Sequence, residues 1–124
     1  MSADKAVLDG PPETPRTRIR YAERQCPECG ATFRPVDGHQ LFCSTAHRRT
    51  WNNRATTRGA VLAPLAIVAR LTRDGTRGDR DVGARASSER NALIQRWRDE
   101  DRAAGRMEWP EYLRLRYAAG FDPL

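Results

Sequence analysis

All three cysteines and both histidines of this chain stand within twenty-two residues, four of the five as Cys26-x2-Cys29 followed by Cys43-x3-His47, with thirteen residues between the two pairs. No other cysteine occurs, and His39 is the only other histidine. Thiolate sulfur and imidazole nitrogen are the donors that zinc prefers. Structural zinc sites take them tetrahedrally from two close pairs joined by a longer loop. The spacing therefore predicts one structural zinc ion held by Cys26, Cys29, Cys43 and His47, with His39 as the competing fourth ligand. Four protein donors fill the coordination sphere, so the ion is expected to hold structure rather than to activate water.

The elements around these residues suit that task. Pro27 fixes one backbone angle of a tight Cys26–Gly30 turn, and Gly30 admits the backbone conformation needed just after the second thiolate. Residues 31–35 and 40–43 read as the two arms of a β-hairpin with Asp37-Gly38 at its turn, Pro35 being confined to an edge or the loop. Phe33, Leu41 and Phe42 are the apolar cover for the ion. Ser44 is a good helix N-cap, and the helix it starts carries His47 one turn after Cys43. Trp51, one turn further, reads as core packing over the site.

Charge points to a partner. The formal net charge is +6, Lys5 is the only lysine, and residues 16–58 hold nine arginines against Glu23, Glu28 and Asp37, an imbalance equal to the whole surplus. No acid stands between Gly38 and Arg73. A basic patch on a metal-pinned module is the footprint of a polyanion binder. Arg34, Arg48, Arg49, Arg54 and Arg58 are expected to face phosphates, with Arg16, Arg18 and Arg20 on a flanking arm or edge strand. The partner is then nucleic acid, DNA or RNA.

Taken together, Cys26-Pro27-Glu28-Cys29-Gly30-Ala31-Thr32-Phe33 and Phe42-Cys43-Ser44-Thr45-Ala46-His47-Arg48 resemble the treble-clef zinc finger, in particular its small bacterial and phage forms. The match covers about a quarter of the chain, and His47 stands where that pattern usually has cysteine. The resemblance implies a small α+β fold: a zinc-bound finger of knuckle, β-hairpin and helix, followed by two or three further α-helices. Treble clefs serve DNA binders, RNA binders, interaction modules and metal-dependent nucleases, so the resemblance alone does not choose among them. A nuclease of the His-Asn-His type needs more histidines than this chain has, and His39 with Asn52 or Asn53 is only an echo of one. No enzymatic activity is expected.

The rest of the chain supplies the frame. Residues 1–15, with Gly10, Pro11, Pro12 and Pro15, read as a disordered tail, residues 16–58 as the basic finger module, and residues 59–124 as a helical region. Its helices are expected over about 60–73, 84–104 and 110–119, with Gly59 breaking or bending the chain, Pro64 in a first turn, 74–83 as a loop and Gly120 as a stop. Residues 60–72 are apolar nearly all round. They either pack on Leu93, Ile94 and Trp97 or offer a surface to a protein partner or a second copy, which is the alternative function. Tyr112, Leu113, Leu115 and Tyr117 give the last helix a partly apolar face. The run Ala60–Ala69 is about half the ~20 residues a bilayer needs, no secretion signal is visible, and thiols used as ligands suit a reducing compartment, so a cytoplasmic location away from membranes is expected.

Overall fold

A computed structural model of the chain describes residues 20–73 and 80–121. Five elements follow in order: β1 (Arg24–Gln25), β2 (Thr32–Phe33), α1 (Thr45–Leu71), α2 (Arg80–Ala103) and α3 (Trp109–Ala118). β1 and β2 pair antiparallel, Arg24 opposite Phe33 and Gln25 opposite Thr32. The fold is thus a small α+β arrangement of one short hairpin and three helices. Among the described residues no helix is long and apolar enough to cross a membrane. The expected tail over residues 1–15 and the arginines at 16 and 18 lie outside the described residues.

The hairpin differs from expectation. Residues 31–35 do not pair with 40–43; Thr32–Phe33 pairs instead with Arg24–Gln25, so the two strands frame the Cys26–Gly30 turn. Side chains explain the difference. The Gln40 carboxamide accepts from Val36 N (2.8 Å) and donates to Phe42 O (3.0 Å), while Arg24 Nη1 donates to Gln40 O (2.6 Å). Backbone groups that a ladder would have used are already satisfied. The Asp37-Gly38 turn does form, closed by Gln40 N on Asp37 O (3.3 Å) and by His39 N on Asp37 Oδ1 (2.8 Å).

A second difference lies in α1. The helix expected to begin near residue 60 is the second half of one 27-residue helix that runs through Gly59 and carries Pro64 in its interior. Gly59 costs roughly 1 kcal/mol against alanine and Pro64 about 3 kcal/mol, so neither is preferred there. What offsets them is packing along α2, in which Ala69 of α1 and Gly83 and Ala86 of α2 are buried. Leu93 and Trp97 are half-buried, whereas Ile94 stays largely exposed. α2 begins at Arg80, so the last part of the expected 74–83 loop is helical and residues 74–79 lie outside the described residues.

α3 places Pro110 in its first turn and is followed by Gly120 at φ +87°. Of its expected apolar face, Tyr112 is 4% exposed, but Leu113 and Tyr117 point outward. Tyr112 joins Phe42 and Trp51 in an aromatic core, with Cys26, Leu41 and Met107 around it. The ring centroids lie 4.8 Å apart for Trp51 and Tyr112 and 6.0 Å for Phe42 and Trp51, within the range of favourable tilted pairs. The core therefore sits between the start of α1, the 41–42 segment and α3.

Candidate metal centre

The first two donors come from the knuckle. Gly30 N bonds to Cys26 O and Cys26 N to Ala31 O, both at 2.8 Å, a reversal that Gly30 closes at φ +78°. A side chain at Gly30 would be strained by that angle and would stand 3.2 Å from the Gly105 carbonyl. The knuckle is also held from behind, because Met107 N donates to Pro27 O at 2.9 Å. Cys26 and Cys29 are thus positioned by hydrogen bonds that reach as far as the α2–α3 link.

The other two donors come from α1. Ser44 caps it, accepting from His47 N at 3.1 Å, so Cys43 lies just outside the helix and His47 within its first turn. Cys43 Sγ is 3.1 Å from His47 Nδ1 and 3.8 Å from Cys29 Sγ, and Cys26 Sγ is 3.9 Å from His47 Nδ1. All four ligand atoms of Cys26, Cys29, Cys43 and His47 lie within 4.8 Å of one another, a group that can hold a metal ion. His39 takes no part; its ring meets Phe121 edge-on at 5.2 Å.

Crowding shows in the proton affinities. Burial pushes the Cys26 thiol up, but backbone N–H groups of Cys43, Cys29 and Glu28 and the His47 ring outweigh it and bring the thiol down to about 7. Cys43 is raised to about 11 by desolvation and then by its sulfur neighbours Cys26 and Cys29. Three thiolates this close repel one another, and a cation among them removes the conflict. Cys26 is fully buried, Cys43 and His47 half-buried, and Cys29 exposed.

The arginines divide into two sets. Arg20, Arg48 and Arg49 are exposed, and Arg34 reaches Tyr21 O (2.7 Å) and Glu23 (3.5 Å) at the surface. Arg54 instead forms a two-pronged pair with Glu28 of the knuckle at 2.9 and 2.7 Å, and Arg58 bonds both oxygens of Asp101 at 3.1 and 2.9 Å. These two were expected to face phosphates, but their guanidiniums meet carboxylates of the chain itself. Asp101 also accepts from Arg106 Nη1 at 2.6 Å, so it ties α1, α2 and the α2–α3 link together. In sequence, Asp99-Glu100-Asp101 reads as a solvated helix face; the signal that Asp101 is more than that was an acid-free helix rich in arginine, which needs acids from elsewhere.

A groove of about 680 Å³ opens beside the metal centre, with Arg48 and Asn52 of α1, His39 and Asp37 of the preceding loop, and Arg116 and Phe121 on its walls. Arg116 and Phe121 were not singled out in the sequence, since only the packing of α3 brings them here. No family model matches the chain, nor does any curated protein or solved structure.

Proposed function

We propose that the chain is a zinc-stabilised nucleic-acid-binding protein built on a treble-clef finger. Zinc is supported by the donor set, three soft sulfurs and an imidazole, which suits it better than the hard cations that take oxygen ligands. Distances support it as well. Metal–sulfur bonds of about 2.3 Å put tetrahedral sulfurs about 3.8 Å apart, and Cys29 and Cys43 stand at 3.8 Å. The treble-clef reading is supported by the order of parts: knuckle, loop, third ligand at a helix start, fourth ligand one turn in.

One observation carries the nucleic-acid reading. α1 holds no acidic residue along its 27 positions, and in its first turns, against His47, both Arg48 and Arg49 are directed to solvent. A helix pinned by a metal holds such cations at a fixed place, and its N-terminal dipole adds to their field. With Arg20 as a third contact, about three phosphates would be neutralised. A fourfold rise in salt should then weaken binding about twentyfold for a single strand and about fortyfold for duplex DNA. Fluorescence anisotropy of labelled DNA and RNA across salt concentrations tests this, and a titration insensitive to salt removes the reading.

A second reading, an interaction adaptor, is favoured by apolar side chains that α2 leaves uncovered. Val61, Ile67 and Leu71 of α1 remain 48%, 57% and 50% exposed. Self-association through residues 60–72 would appear as concentration-dependent elution in size exclusion without nucleic acid. A monomer at every concentration counts against a second copy as the occupant.

A further inference from the structure

The groove beside the metal centre has features that a flat basic face lacks. It is concave, its volume of about 680 Å³ lies in the range of small-ligand clefts, and it opens at the N-terminal turns of the longest helix in the fold. Arg48 and Asn52 sit one helical turn apart on one wall, both exposed. Across from them, Arg116 holds its guanidinium over the rings of Tyr112 and Phe121, at 5.9 and 5.1 Å, which presets its direction. His39, exposed, completes the rim with its ring against Phe121. The one acid on the wall, Asp37, lies at the His39 end, where its Oδ1 holds the His39 amide.

We infer that this groove binds single-stranded nucleic acid, one phosphodiester at the Arg48 end and one base against the His39–Phe121 edge. The inference rests on the nucleic-acid reading above and deepens it. Arg48 and the amide end of α1 set the phosphate end; at the other end Asp37 opposes a second phosphate beside His39, and Arg116 is held over the rings of Tyr112 and Phe121. Asn52, with both a donor and an acceptor, is placed to bond a base or a sugar between the two. A duplex hides its base faces by stacking, whereas a single strand can splay a base onto an exposed ring, so a recess with a cation at one end and aromatic rings at the other favours the single strand.

The test uses the full-length, zinc-loaded protein and anisotropy of a short labelled oligothymidylate, the same strand annealed to oligoadenylate, and an abasic strand of equal length. The single strand should bind more tightly than the duplex. Arg48→Ala should weaken single-strand binding about tenfold and lower the salt slope by about one. Arg96→Ala, an exposed arginine of α2, which contributes nothing to the groove lining, should cost under about threefold. His39→Ala should weaken the thymidylate strand roughly fivefold or more yet leave the abasic strand unchanged, the mark of a stacking contact. All three side chains are exposed, and circular dichroism is the check that the variants fold. If no nucleic acid binds at low salt, the nucleic-acid reading falls and the groove proposal with it. If nucleic acid binds but the duplex is preferred, or Arg48→Ala and Arg96→Ala lose equally, or His39→Ala weakens both strands alike, the groove proposal is overturned while the broader reading stands.

Discussion

The ring of Tyr112 lies 4.8 Å from that of Trp51, so a residue of α3 closes the core above the helix turn that carries His47. The metal centre is therefore backed by a helix far away in sequence. Met107 N on Pro27 O does the same for the knuckle.

Tyr112→Ala should destabilise the fold by about 3–5 kcal/mol, the usual cost of deleting a buried aromatic ring. Tyr112→Phe should cost under ~1 kcal/mol, because the hydroxyl's contact with Arg116 Nη1, at 3.5 Å, is long for a hydrogen bond. Urea unfolding followed by tryptophan fluorescence measures both. Equal costs for the two variants would show that the ring is not what matters.

Purified protein should carry one zinc ion per chain, and a strong chelator should abolish the near-ultraviolet signal of Trp51 while sparing part of the helical signal from α1 and α2. Cys26→Ser should not retain the ion. Ligands bind deprotonated, so the bound state lowers their pKa values, and its stabilisation is present at high pH and lost as pH falls. In the metal-free fold Cys43 holds its proton up to about 11 and Cys26 up to about 7. Binding should thus release at least one proton between pH of about 7 and about 11 and at least two below about 7. Competition with a chromophoric chelator across pH should show the affinity falling more steeply on the acid side; a flat profile would contradict thiolate ligation.

Asp101, 4% exposed, neutralises Arg58 and Arg106. Asp101→Ala removes the carboxylate that Arg58 and Arg106 share, leaving Arg58 its contact with Glu100 at 3.3 Å, and should cost about 3–5 kcal/mol. Breaking the exposed, solvent-screened Arg85–Glu89 pair on α2 should move the unfolding midpoint far less. Denaturant midpoints of Asp101→Ala and Glu89→Ala compare the two directly.

Two glycines of the helical pair should respond with opposite signs. A Cβ at Gly59 meets nothing within 4 Å, so Gly59→Ala should stabilise α1 by roughly 0.5–1 kcal/mol. A Cβ at Gly83 would overlap Thr72 Oγ1 and lie 2.8 Å from Thr72 Cβ. Gly83→Ala should therefore cost about 1–3 kcal/mol, and the double variant with Thr72→Ala should return only part of it, because the contact with the Cβ of residue 72 remains. Thermal melts of the four proteins decide it.

The ligand group Cys26, Cys29, Cys43 and His47 was legible before any coordinates, because two tight pairs of soft donors at short spacing are a local property of the chain. So were the cap at Ser44 and the approximate places of the helices, which follow from capping, proline and glycine positions and side-chain periodicity over a few turns. Strands of two residues have no periodicity to read, so the partner of Thr32–Phe33 could be learned only from where Gln40 and Arg24 form their hydrogen bonds. The run of α1 through Gly59 and Pro64 defies local preference, and packing along α2 decides it. Tertiary structure also settled which arginines meet solvent: Arg48 and Arg49 look alike in sequence to Arg54 and Arg58, but only the latter pair finds Glu28 and Asp101. Spacing between neighbours is written in the covalent chain, whereas the pairing of a charge or a ring with a distant partner exists only once the helices have packed.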